Sequence, residues 1–228
     1  MPKSQFARDL DALQRRVRPF LYGLGFKAKG RSFNRVNDDG LTQVIEFFLD
    51  ASRYSFGVAD ETSEVRPGCF KVHLGVYLPE LAVLDGGEPK SWVQDRRCCI
   101  RSSLPGPDIF PKAFCWSAIP VGVMAGASQA RLRRNGIPLL ERFVSRDKIL
   151  AEASMAGKSR QFFARPPGVV AAAILAKRGE IDAAAASLQQ EYQLTDEARR
   201  ESYGRVLLER AEKLGVRGFS LNSESSSS

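Results

Sequence analysis

The chain has 228 residues, of which 34 are Lys or Arg and 26 Asp or Glu, giving a net charge of +8 and a pI near 9.5. That length is generous for one small domain and short for two full ones, and predicts one main domain with a helical appendage. Four cysteines without zinc-type spacing, no leader-like start and no apolar run of about 18 residues argue against disulfide-stapled, zinc-finger, secreted and membrane-spanning classes, and predict a reducing cytoplasm.

Phe6, Leu10, Leu13, Val17, Phe20, Leu21 and Leu24 recur at helical spacing, with Arg8, Asp11, Arg15 and Arg18 on the other side. Pro19 predicts a kink or break late in that helix, and Gly23 and Gly25 supply an exit. A basic strand over 27–35 then leads into Asn37-Asp38-Asp39-Gly40, whose residues tolerate the backbone angles of a hairpin turn. The returning strand, 41–49, is apolar on both faces (Leu41, Ile45, Phe47 and Leu49 against Val44 and Phe48), as suits a central position. Residues 52–68 read as an exposed polar loop. In 69–78, Phe70, Val72, Leu74, Val76 and Leu78 alternate with Lys71, His73 and Tyr77, the clearest strand in the chain. Residues 85–95 read as loop, and 97–104 and 113–119 as two further strands, the last anchored by Trp116.

Helices are predicted from Pro120 onward: 121–134 stopped by Asn135-Gly136, 146–156 capped by Ser145, one from Pro166-Pro167 to Gly179, one over 181–192, and one from a Thr195 cap to Leu214. The fold class is therefore α+β: an N-terminal helix, an antiparallel sheet of about five strands, then a C-terminal helical region with a helical hairpin. The expected division is an α+β domain over 1–165, a helical extension over 166–218 and a disordered Ser-rich tail over 219–228.

LGFKAKGRSFNRV, LTQVIEFF, FKVHLGVYL, CCIRSSL and FCWSAIP, in that order, resemble the strand motifs of a bacterial domain-of-unknown-function family, number 4304. The matching positions are Gly25, Phe26, Lys27, Lys29, Gly30, Phe33, Arg35, Gln43, Val44, Ile45, Leu74, Gly75, Ile100, Arg101 and Trp116. The chain departs at Glu46-Phe47-Phe48 and at His73, where the family carries other residues. The resemblance implies the fold and a bacterial source, and brings no catalytic residue with it.

Familiar chemistry is sparse. Gly157-Lys158-Ser159 lacks the glycine five positions earlier that a phosphate-binding loop needs, since that position is Glu152. His73 is the single histidine, so neither a multi-histidine metal site nor a complete Ser-His-acid triad can be assembled, and it reads first as a hydrogen-bonded structural residue. Cys98, Cys99 and Cys115 read as buried inert thiols, with a Cys–His pair the alternative. No catalytic residue, metal or cofactor is assigned.

Charge is distributed in blocks: net +7 over 1–36, −7 over 37–95, +9 over 96–165 and −1 over 166–228. Lys27, Lys29, Arg31 and Arg35 fall at even spacings and would share a face of one strand; Arg97 and Arg101 would share a face of another. Lys27, Lys29, Arg31, Arg35 and Arg101 form, with His73, the candidate ligand-binding set, unless the first group merely guards a sheet edge. The expected function is a non-catalytic binding module for a protein partner or an anionic ligand, of which a toxin-immunity protein is one version. A nucleic-acid backbone binder and an enzyme with an unrecognised site are the alternatives. No membrane partner is expected.

Overall fold

A computed structural model describes residues 4–50, 69–104, 114–115, 120–155 and 159–221. The expected polar loop at 52–68, Trp116 and residues 222–228 lie outside them. The fold is α+β: an N-terminal helix, an antiparallel sheet, then packed helices.

Helix α1 (Gln5–Gly23) opens on Ser4, whose hydroxyl accepts from the Ala7 N–H, and buries Leu10, Leu13, Gln14, Val17 and Leu21 along one stripe. It runs unbroken through the exposed Pro19 to Gly23, because only the last turn follows the proline and little backbone bonding is lost. Gly25, at φ 83°, turns the chain into the sheet.

The basic segment is two strands and not one. β1 (Lys27–Lys29) and β2 (Ser32–Val36) are joined by a tight turn at Gly30-Arg31, with Gly30 at φ 60°. β3 (Thr42–Asp50) follows the Asn37–Gly40 turn, β4 (Cys69–Tyr77) lies beside it, and β5 (Ile100–Ser103) completes the path β1-β2-β3-β4-β5. A two-residue β6 (Phe114–Cys115) also pairs with β4, and every pairing is antiparallel. One face carries Phe33, Ile45, Phe47, Phe70, Val72, Leu74, Val76 and Ile100 into a large core with α1. Phe33, Phe47 and Phe70 lie in sequence there, with centroids 5.9 and 6.4 Å apart. Each such contact contributes about 0.5–1.5 kcal/mol beyond area burial.

After the sheet, α2 (Val121–Arg131) does not stop at Asn135-Gly136. It continues through a π turn (Leu132–Gly136) into α3 (Ile137–Arg142). Gly136 keeps helical angles because a Cβ there would meet Leu132 at 3.0 Å and Leu104 at 3.4 Å, so its smallness serves close approach to the core rather than termination. α4 (Arg146–Ser154) is capped by Ser145. α5 (Pro167–Lys177), α6 (Ile181–Gln193) and α7 (Glu197–Leu214) form the C-terminal region around Val169, Ala172, Ala184, Leu188, Tyr192 and Leu207. Asp196, not Thr195, precedes α7, while the Thr195 hydroxyl donates to the Glu191 carbonyl. Phe219, expected in the tail, is buried against this cluster, its ring 6.5 Å from Tyr192. Among the described residues no helix is long and apolar enough to cross a membrane.

Candidate functional site

The sheet's second face is where polar residues gather. Antiparallel pairing sets Glu46 (β3), His73 (β4) and Ser103 (β5) in one row across three strands. The next row on that face holds Val44, Gly75 and Arg101. Above it lies a 3-10 turn, Asp95–Arg97. The approach to this turn is fastened by Asn34, whose side-chain amide donates to the Val93 carbonyl at 2.9 Å and accepts from the Val93 N–H at 2.8 Å. Val93 and Cys98 then close a small apolar cluster over Val44 and Tyr77. The turn fits only because position 75 is glycine: a Cβ there would stand 2.6 Å from Cys98 Sγ and 2.8 Å from Cys98 Cβ.

Docking the turn buries Asp95, which is 4% exposed. Its N–H donates to Glu46 Oε2 at 2.9 Å, while its Oδ2 meets both His73 Nδ1 at 3.1 Å and Arg101 Nη2 at 2.6 Å. Burial alone would push this carboxyl up; the His73 and Arg101 hydrogen bonds and the charges behind them outweigh it and hold the carboxyl below its ordinary value. Arg101 is correspondingly raised, chiefly by its bond to Asp95. Asp95 Oδ1, over Gly75, has no hydrogen-bond partner among the described residues. The His73 ring stacks on Phe48 with centroids 5.7 Å apart, and Phe48 is 51% exposed on the same face.

His73, Asp95, Arg101 and Ser103 line a cleft of about 270 Å³. Its far wall is the 3-10 turn Arg160–Phe162 and the residues after it, with Gln161, Phe162 and Phe163 facing the space. That wall is held firmly. The Ala164 N–H donates to the Cys99 carbonyl at 2.8 Å, and Arg142 sits 5.4 Å from the Phe162 ring centroid while bonding both oxygens of Glu152. Arg160 of the same turn pairs with the buried Glu191 of α6, which ties the cleft to the C-terminal helices.

No family model, curated protein or solved structure matches the chain.

Of the expected set, His73 and Arg101 are brought together. Of the other four, Lys27 and Lys29 share that sheet face, in the rows of Arg101 and His73 but on the far edge strand, while the turn at Gly30 takes Arg31 and Arg35 out of alignment with them. Lys27 and Lys29 are exposed on the edge strand, opposite Asn34 and Ser32. Arg31 turns to α1, bonding Asp11 at 3.1 Å. Arg35 lies on the opposite sheet face from His73: it bonds Gln43, Glu141 and the Leu24 carbonyl, and covers the Phe26 ring at 4.9 Å. It is a structural brace. Arg97 belongs to the 3-10 turn and not to the strand of Arg101.

Asp95, Glu46 and Gly75 complete the site and escaped the sequence reading. Glu46 did leave a signal, an acid inside the apolar run from Val44 to Leu49. Cys98 and Cys99 are buried, as expected; burial raises the Cys98 thiol well above its ordinary value and pushes Cys99 up to about 12. Such thiols stay protonated and make poor nucleophiles. Among the described residues no cluster of three or more His, Cys, Asp or Glu side chains is placed to hold a metal ion.

Proposed function

We propose that the chain is a non-catalytic binding module whose cleft takes an anionic group, a carboxylate or phosphate, from a small ligand or a protein partner. The carrying observation is that Arg101 and His73 are both anchored from behind on the buried Asp95 oxygen. With Nδ1 engaged, Nε2 is the imidazole nitrogen left for a ligand, and the guanidinium is 41% exposed. A preorganised guanidinium gives strong, directional hydrogen bonds to oxyanions, and Ser103 and Gln161 add polar groups around it. The Phe162 and Phe163 wall favours a ligand with some apolar body beside its charge.

The test is calorimetric titration with phosphate, citrate and short acidic peptides. Arg101→Ala should weaken binding of the best of these by about tenfold or more, since charge-assisted bonds are worth about 1.5–3 kcal/mol. Titration heats untouched by both Arg101→Ala and His73→Ala would sink the reading.

A second reading has one observation in its favour. Asp95 holds His73 Nδ1, and Ser103 is the cross-strand neighbour of His73, an acid–base–hydroxyl order suited to nucleophilic chemistry. Arg101 argues against it, because it draws on the same carboxylate oxygen that would support an imidazolium.

A further inference from the structure

A different surface gathers exposed, unpaired arginines from two neighbouring helices. Residues 12–24 contain three arginines and no acid, and residues 120–136 contain three more and no acid. The fold lays these two stretches side by side as α1 and α2. Gln129 Nε2 donates to the Arg16 carbonyl at 3.0 Å, the Arg133 guanidinium covers the Phe20 ring at 4.8 Å, and Arg16 reaches across to Gly122. Arg15, Arg16, Arg133 and Arg134 are all exposed, and none has a carboxylate partner among the described residues. By contrast Arg31, Arg35, Arg101, Arg142, Arg146, Arg160, Arg165 and Arg178 are each ion-paired. Arg96, Arg97, Arg199 and Arg217 are likewise exposed without an ion pair among the described residues, but they are scattered over other elements, whereas these four lie on two helices packed side by side.

We propose that the α1–α2 ridge binds the phosphodiester backbone of double-stranded nucleic acid. All four cations are arginines, whose planar guanidinium matches phosphate oxygens in pairs, as an ammonium does not. The exposed residues of these helices include the small Pro19, Gly122, Gly126 and Ala130 beside Val123, with nothing within 4 Å of where a Gly126 Cβ would stand. A sugar–phosphate strand can therefore approach the helices closely. α1 alone runs about 28 Å at the standard helical rise, enough to follow a backbone across several phosphates.

An anionic membrane suits this ridge less well. The apolar stripes of α1 and α2 face the protein core, and Val123 and Tyr22, the large apolar side chains left exposed on them, do not make a continuous apolar face to enter lipid. Single strands suit it less well too, because they are gripped by rows of stacking aromatics. Phe20 is covered by Arg133, which leaves Tyr22 as the exposed ring of α1. The π turn serves the ridge directly: it carries Arg133 and Arg134 on a helix that never interrupts its packing at Leu132 and Gly136.

The experiment is fluorescence anisotropy of labelled 20-bp DNA and RNA duplexes with the full chain, across about 50 to 200 mM salt. Binding should weaken linearly in log salt, with about one unit of slope for each phosphate contacted. The R15Q/R16Q/R133Q/R134Q variant should bind at least about tenfold more weakly at the low-salt end and lose most of that slope. R15Q/R134Q, which removes no contact within the fold, should show an intermediate loss and controls for misfolding. K27Q/K29Q and Arg101→Ala should leave binding unchanged, so failure here is distinct from failure of the cleft. The proposal is overturned by no duplex binding at low salt, by equal weakening from K27Q/K29Q, or by retention on phosphatidylglycerol vesicles without duplex binding.

Discussion

Asp95 is the residue on which the cleft turns, and its burial makes the site sensitive to acid. Its carboxyl is held below the ordinary value of 3.8, so ionised Asp95 contributes stability at neutral pH. That contribution fades as pH falls from the unfolded value through the lower folded one. Asp95→Asn should therefore cost about 1–3 kcal/mol at pH 7, the range for leaving buried donors poorly matched. Below about pH 4 the gap between variant and parent should begin to narrow, because the unfolded parent's carboxyl then takes up a proton while the folded one, held lower, still resists it. Urea titrations at pH 7 and pH 3 measure it, and a gap constant across both would refute the assignment. His73 and Arg101 are legible in the sequence as candidates because charge and alternation are local properties. Asp95 is not legible, since nothing near it in the chain announces that it will be buried.

At the scale of elements, the decisive packing is the 3-10 turn on β4. Gly75→Ala places a methyl group 2.6 Å from Cys98 Sγ, so the turn must lift or the strand must bend. The expected cost is about 1–3 kcal/mol, typical of an overfilled contact. In a chain of this size that lowers Tm by roughly 2–4 °C per kcal/mol. Cys98→Ala in the same background relieves the sulfur contact and leaves the Cβ contact, so rescue in a thermal melt should be partial. Full rescue or none would mean that the turn is not seated as described.

Elements also show where sequence reasoning succeeds. The β4 alternation and the Asn37–Gly40 turn emerge as read, because period two and turn chemistry need no knowledge of the rest of the fold. The Gly40 N–H indeed bonds the Asn37 carbonyl at 2.9 Å. The split of the basic segment and the run-on at Gly136 are misread for a shared reason. Gly30 makes a tight turn inside an unbroken basic pattern, whereas Gly136 looks like a stop yet serves as a packing notch.

Across the whole molecule, Cys98 and Cys99 are neighbours in sequence that belong to different apolar clusters. Cys98 seals the small cluster under the turn, and Cys99 sits in the main core. Both thiols are buried and protonated, so alkylation requires opening. Iodoacetamide labelling followed by peptide mapping should find Cys98 reacting first, through lifting of the 93–98 segment alone, and Cys99 at the rate of global unfolding. Asp95→Asn should accelerate Cys98 more than Cys99. Equal rates at the two thiols would show that the turn and the sheet open together.

The same segment bears on how the chain is made. Its fastenings reach back 59 residues to Asn34, 49 to Glu46 and 22 to His73. A chain emerging from the ribosome can complete the β3–β4 pair well before residue 93 appears. During that interval Val44 and Tyr77 lie uncovered, and β4 offers an unpaired edge to other nascent chains. The face that carries the cleft is thus left bare until residue 93 has emerged, and a nascent chain halted before it displays a sticky surface with no Asp95 to organise it.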